Sequence, residues 1–459
     1  MSSAHEYAKA HSGRFLEDLK HLIRIPSVST QPKHAADVRR AADWLEDRMQ
    51  KIGFETVEQI DMPGGRHPLV FGTWSGAGAD APTVLIYCHY DVQPAVVEDG
   101  WHTSPFEPTE KDGILYGRGA TDSKINVMTQ LSAIESLLAS PEKSPVNIKL
   151  ILEGEEESGG ETINAFVAQH ADRLAADVSV ISDGPIVNPD QPSMVVGLRG
   201  IVALEMHVQG PVRDLHSGHF GGNVHNPIQA LTEILAQLHD ENGTVTVPGF
   251  YDDVPPIDPA EREAIAAANP FYDKNWEQTA AAPAVWGEAG YTIQEKAGLR
   301  PTLEINGIWG GYAGHGVKTV LPSKAGCKIT CRLVPDQEPQ KIFNLIQAEI
   351  ERLTPPTVTV DLTMQDMGST ALRLPYDSKA VKTANIAYEN NWGVPTVMEV
   401  AGGSVPISST FANVTEEVVM MGYAHKGGQA HGPNENIYLS MFDKGIGTAI
   451  DFLRLYGQD

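Results

Sequence analysis

Short apolar runs and helical stripes alternate along the N-terminal part of the chain. Val38, Ala42, Leu45, Met49 and Ile52 recur at helical spacing and share one face. Gly53 follows them, where a left-handed residue can end the helix. "LVFGTW" (Leu69 to Trp74) and "TVLIYC" (Thr83 to Cys88) are apolar runs of strand length. A helix is predicted from about Ser123 to Leu138, followed by the strand "NIKLILEG". A helix near Ile163 to Leu174 and the strand "VSVIS" (Val178 to Ser182) come next. Strands that are apolar throughout and alternate with helices imply an α/β arrangement, a largely parallel sheet covered by helices. Sites in such sheets form at the carboxyl ends of the strands.

After about Arg199 the pattern changes. "GIVALEMHVQG" alternates like a half-exposed antiparallel strand, and a helix fits Pro227 to His239. Asp240 to Leu299 is rich in Pro, Ala and Glu and predicts irregular structure with short helices. "PTLEINGIWGG", "KAGCKITCRLVP" and "TVTVDLTM" predict strands, with a helix from about Glu338 to Leu353. This is α+β character. From about Tyr376 the earlier alternation returns and ends in a helix, Asp443 to Leu455. The simplest organisation is one domain inserted into another: residues 1–200 and 375–459 form the first, 201–374 the second.

Composition narrows the function. The 459 residues carry a net charge of −25 and no basic stretch, which disfavours nucleic acid and anionic membranes as partners. No apolar run approaches a membrane span of about 20 residues. The opening "MSSAHEYAKAHSGRFLEDLK" lacks the apolar core of a signal peptide, so a cytoplasmic location is expected. The three cysteines, Cys88, Cys327 and Cys331, fit a reducing compartment. Cys327, Ile329, Cys331 and Leu333 alternate with Lys328, Thr330 and Arg332, which puts both thiols on an apolar strand face as core filler.

The chemistry begins with "LEGEEESGG", where Glu153, Glu155, Glu156 and Glu157 crowd the end of an apolar strand. Crowded, desolvated carboxylates need a cation or a shared proton. Other strand ends supply partners. His89 and Asp91 follow "TVLIYC" in "CHYDV", where one can bind metal while the other holds its ring. Asp122 precedes a helix in "GRGATDSK", Asp183 ends a strand in "ISDG", and His431 lies in the Gly-rich "GGQAHGPNEN". Each alone has a bland reading, such as an N-cap aspartate or a structural histidine. Together they are a metal-ligand set. Paired carboxylates also serve glycosidases, but that leaves His89 and His431 unexplained. No Gly-rich phosphate loop opens a helix.

In order, "HYDVQP", "YGRGATDSK", "EGEEESGG", "ISDG", "DLHSG" and "HGPNE" resemble the cocatalytic dizinc peptidase family. That family includes glutamate carboxypeptidase, acetylornithine deacetylase, succinyl-diaminopimelate desuccinylase and cytosolic dipeptidases related to carnosinase. "IRIPSVS" and "RLVPDQEP" are similar to it as well. The resemblance implies two Zn²⁺ ions, replaceable by Mn²⁺ or Co²⁺, with a shared water or hydroxide between ions about 3.5–4 Å apart. His89, Asp122 and Asp183 would hold one, and Asp122, Glu157 and His431 the other. Glu156 would be the general base and Asp91 would orient His89. His216 in "DLHSGHFGG" would stabilise the oxyanion, usually from the partner subunit of a homodimer. Arg332, Thr319 and Ser404 would bind the substrate's C-terminal end. The inserted domain resembles the longer lid and dimerisation domain of the dipeptidases. Ser123 and Ile125 stand where the family often has Asp or Asn and Gly. The implied activity is hydrolysis of dipeptides or small peptides with a free C-terminal carboxylate. N-acyl-amino-acid deacylation or desuccinylation is the alternative, and a non-catalytic binding paralogue a minor one.

Overall fold

Tyr87, Cys88, Leu150, Ile151 and Leu152 are fully buried, as expected of central strands covered on both faces. The computed structural model describes residues 3–365, 368–403 and 406–458. The chain forms two units. One runs to Val196 and continues in Leu374–Met398 and from Ile407 onward; the other comprises Gly197–Arg373 and Glu399–Pro406.

The first unit is built on a six-stranded sheet. Its strand order is Thr56–Met62, Arg66–Trp74, Asn147–Glu153, Thr83–His89, Ala176–Ile181 and Thr415–Met420. The last four strands are mutually parallel. Arg66–Trp74 runs antiparallel to both neighbours. Towards Thr56–Met62 the cause is local: Pro63–Gly65 returns the chain at once, with Gly64 and Gly65 at φ +77° and +73°. So short a connection permits only an antiparallel partner.

Helix Ala35–Ile52 buries Val38, Ala42, Leu45, Met49 and Ile52, and Gly53 ends it at φ +104°. Helix Lys124–Ala139 is buried on nearly every side. Ile125 is fully enclosed within it, and Ser123 just before it accepts a hydrogen bond from Asn126. The helix expected near Ile163 to Leu174 is broken into Glu161–Gln169 and Ala171–Leu174, because His170 leaves helical geometry.

The second unit holds a four-stranded antiparallel sheet in the order Thr302–Gly310, Lys324–Leu333, Gly200–Gln209, Thr359–Met364. Val202, Leu204, Met206 and Val208 form its inner face with Cys327, Ile329, Cys331 and Leu333. Helices Pro227–Leu235 and Pro339–Leu353 cover that face. Burial raises the Cys331 thiol far above its ordinary range, as inert filler requires. The helix expected to reach His239 stops at Leu235. Among the described residues no helix is long and apolar enough to cross a membrane.

Candidate metal centre

The parallel strands deliver their polar ends to one edge of the first unit's sheet. His89 ends one strand and pairs in register with Glu153, which ends its neighbour. Asp183 follows the strand Ala176–Ile181. Asp122 sits just before helix Lys124–Ala139, across a cis peptide to Ser123. Glu156 and Glu157 open a short 3-10 turn, Glu156–Ser158.

His89 Nε2 lies 3.0 Å from Asp122 Oδ1 and 3.7 Å from Asp183 Oδ1. His431 Nε2 lies 3.1 Å from Asp122 Oδ2 and 3.2 Å from Glu157 Oε2. In each triad the candidate ligand atoms lie within 4.8 Å of one another. Asp122 belongs to both triads and presents one oxygen to each. Two imidazoles and three carboxylates are a donor set suited to divalent metal. Glu157 Oε1 fits that use: it is buried and takes no hydrogen bond from any described residue.

The electrostatics set the cost of burial against close pairing of the two imidazoles with the carboxylates. Burial opposes ionisation of Asp122, but hydrogen bonds from His431 and His89 overcome it and hold its carboxyl below the ordinary range. Burial likewise disfavours charge on His89, and Asp183, Asp122 and Asp91 outweigh it and raise its pKa. Hydrogen bonds to Asp122 and Glu157 push His431 up to about 10. Burial raises Glu156 to about 7; His89 opposes the rise, and Asp183, Asp91 and Glu157 add to it.

Asp91 does more than the sequence suggested. His89 Nδ1 is 3.2 Å from the Asp91 backbone carbonyl and 3.4 Å from its carboxylate Oδ1. The other carboxylate oxygen accepts the Glu157 N–H at 3.1 Å. One residue thus ties the His89 strand to the glutamate turn. "IRIPSVS" contributes from behind: Ser27 Oγ donates to the Tyr90 carbonyl at 2.7 Å. Glu153, without a role in the sequence reading, is buried and accepts from Tyr87 at 2.6 Å; burial raises it to about 8. Glu155 packs by accepting the His67 N–H at 2.8 Å.

Sequence reasoning missed a buried ion pair. Glu435 Oε1 accepts the N–H groups of Thr121 and Asp122 at 2.7 and 2.8 Å. Its Oε2 accepts from Gly119 N–H at 3.0 Å and from Arg118 at 2.6 Å. Arg118 also donates to the carbonyls of His431 and Pro94 at 3.2 and 3.3 Å. The pair therefore fixes both ligand-bearing loops. It supports His431 at φ +61°, a left-handed conformation that costs a non-glycine residue of order 1–3 kcal/mol. The available signal was opposite charge in two quoted motifs, Arg118 in "YGRGATDSK" and Glu435 in "HGPNE". Glu435→Gln is expected to weaken metal affinity about 10–100-fold, as loss of a ligand-orienting partner does. Competition with a coloured chelator measures this, and an unchanged affinity would remove Glu435 from the site.

The remaining candidates lie in the second unit. Strand Leu215–His216 pairs with Val320–Leu321, and the Ser217 N–H donates to the Thr319 carbonyl at 3.1 Å. His216 is exposed and stacks on His219 with centroids 4.4 Å apart. Its Nδ1 accepts the Gly218 N–H at 3.0 Å, so the neutral ring carries its proton on Nε2. Arg332 is half-buried on the sheet face opposite the cysteines. Ser404 lies outside the described residues. His225 nearby is partly buried and pairs with Thr357 at 2.7 Å.

Comparison with known proteins gives a consistent result. The model of peptidase family M20/M25/M40 matches residues 85–455. The Cys-Gly metallodipeptidase of Schizosaccharomyces pombe is 32% identical over 462 residues, covering 97% of this chain and 96% of its own. The Beta-Ala-His dipeptidase of Rattus norvegicus is 30% identical and covers 91% of this chain and 87% of its own. A solved di-peptidase from Saccharomyces cerevisiae superposes with a TM-score of 0.79 at 26% identity, over 99% of this chain and 98% of that one. With most of its length matched by the family model and by relatives of this kind, the chain belongs to peptidase family M20/M25/M40.

Proposed function

We propose that this protein is a metal-dependent dipeptidase, acting in the cytoplasm on small peptides with a free C-terminal carboxylate. The observation that carries the reading is the pair of ligand triads that divide the two Asp122 oxygens, with Glu156 close enough to feel the charges of His89, Asp183 and Glu157. His89, Asp122 and Asp183 would hold one ion, and Asp122, Glu157 and His431 the second. Zn²⁺ suits these ligands, and Mn²⁺ or Co²⁺ can replace it. When bound, such ions polarise a carbonyl and lower the pKa of water towards about 7.

The chain's own groups do the rest. Glu156 takes a proton from the attacking water as its oxygen bonds to the peptide carbon. The same carboxyl returns that proton to the nitrogen as the C–N bond breaks, and the proton left on the new carboxyl group passes to the amine, so that a carboxylate and an ammonium leave. His216 Nε2–H donates to the carbonyl oxygen as it gains negative charge. Arg332 takes the substrate carboxylate through paired hydrogen bonds. Thr319 and Ser404 complete that end. His216 is supplied by the partner of a homodimer in this reading. The exposed apolar side chains Phe220, Ile308, Trp309 and Tyr312 of the second unit support an interface between copies.

The named relatives above are dipeptidases, which favours peptides over N-acyl amino acids as substrates. The test is hydrolysis of a dipeptide panel by metal-stripped protein before and after Zn²⁺ or Mn²⁺ is restored, beside N-acetyl and N-succinyl amino acids. Dipeptide turnover should return only with metal. Metal-dependent turnover confined to the acylated set would make the protein a deacylase, and no turnover of either would leave the binding paralogue.

A further inference from the structure

We propose that a cleft within the second unit receives the side chain of the substrate's C-terminal residue and selects large apolar side chains, aromatic ones above all. This rests on the dipeptidase reading, specifically on Arg332 as the partner of the C-terminal carboxylate. Arg332 lines a cleft of about 880 Å³, ample for a bulky side chain. A residue whose carboxylate meets Arg332 can place its side chain in the same space.

The lining is of two kinds. One part is the polar face of the sheet: Thr302 stands opposite Arg332, and Glu304 opposite Thr330. Trp276, from the helical turn Trp276–Ala280, and Val285 and Trp286, from the irregular segment that follows it, also line the cleft. Trp286 is 70% exposed and Val285 46%. Large apolar groups left in water beside a cleft mark a surface that something covers. An aromatic or long aliphatic side chain standing on Arg332 would cover them and leave the polar sheet face to its backbone.

The Trp286 segment is held in place. Lys296 Nζ donates to the Trp286 carbonyl at 3.2 Å and to that of Gly287 at 3.5 Å. Gly243, at φ +77°, lies against the indole so closely that a Cβ there would come within 2.7 Å of Trp286 Nε1. The cations around the cleft are largely committed to its construction. Arg300 pairs with Glu288 at 2.7 Å and lies 4.7 Å from the Tyr291 ring. Arg199 donates to the carbonyls of Gly402, Lys296 and Arg300. An acidic side chain would meet Glu288 and Glu304 as well as these engaged cations. The aromatic lining therefore suits apolar side chains, and Ala-Glu tests whether the cations around it outweigh Glu288 and Glu304.

The experiment is kcat/KM of the metal-loaded full chain on Ala-Gly, Ala-Leu, Ala-Glu, Ala-Phe and Ala-Trp, for wild type, Trp286→Ala and Gly243→Ala. Wild type should favour the aromatic dipeptides over Ala-Gly about tenfold or more, carried mainly by KM. In Trp286→Ala, and in Gly243→Ala with its displaced indole, that ratio should fall at least about fivefold. Equal or better turnover of Ala-Gly or Ala-Glu in wild type would overturn the proposal while leaving the dipeptidase reading intact. So would an unchanged ratio in both variants, including the case where Trp286→Ala alters only the oligomeric state in sedimentation. Failure to hydrolyse any dipeptide would sink the dipeptidase reading itself, and this proposal with it.

Discussion

Glu156→Gln is expected to lower kcat by about 10²–10⁴-fold while the protein still folds and still binds metal. The carboxylate is the one acidic group of the glutamate turn outside both ligand triads, yet it lies among them. Glutamine keeps the shape and loses the ability to accept a proton. Metal content, measured on the purified variant, separates loss of the base from loss of the site. Stability supplies a second readout with a definite sign. Burial raises Glu156 from 4.5 to about 7 in the metal-free fold, so the folded state binds its proton more tightly than the unfolded chain does. Stability therefore falls as pH rises between those values, and the full penalty is present above the higher one. Metal-free Glu156→Gln escapes that penalty. It should melt at a higher temperature than metal-free wild type above about pH 7 and equally below about pH 4.5. A variant as active as wild type would remove Glu156 as the base, whatever its melting temperature.

Much of this architecture was legible because burial leaves a periodic trace. The runs "TVLIYC" and "NIKLILEG" became central parallel strands, and the stripe from Val38 to Ile52 became one buried helix face. The alternation around Cys327 and Cys331 likewise placed both thiols in the second unit's core. Boundaries were less legible. His170 breaks a helix by backbone geometry alone, and Pro227–Leu235 ends early with no glycine or proline to announce it. The convergence of His89, Asp122, Glu157, Asp183 and His431 was implied by the resemblance of the motifs; the strand ends by themselves pointed to His89, the glutamate run and Asp183. The Arg118–Glu435 pair did not follow, because its partners are 317 positions apart and no periodicity links them. Asp91 shows the same limit: its spacing from His89 suggested a ring partner, while its hold on the Glu157 N–H exists only in three dimensions.

His216→Ala is expected to lower kcat about 10²–10³-fold with little change in metal binding, the usual loss when an oxyanion donor is removed. The ring is suited to donate: Gly218 occupies Nδ1, so the proton sits on Nε2. The ring is exposed and sits in the second unit, so its truncation should not unfold the protein. A second experiment decides which chain supplies it. Glu156→Gln and His216→Ala each disable the reaction, but they do so on different units of the chain. If the histidine serves the partner's site, a mixed dimer has one site with both defects and one with neither. After subunits exchange at random in a twofold dimer, activity should recover to about a quarter of the wild-type rate. If each chain supplies its own histidine, every site in the mixture carries one defect and nothing recovers. Recovery would establish the homodimer and the shared site together. Failure to recover, with subunit exchange verified by differently tagged chains, would place the donor within its own chain. An active His216→Ala protein would remove the residue from the reaction altogether, and the oxyanion donor would have to be sought elsewhere.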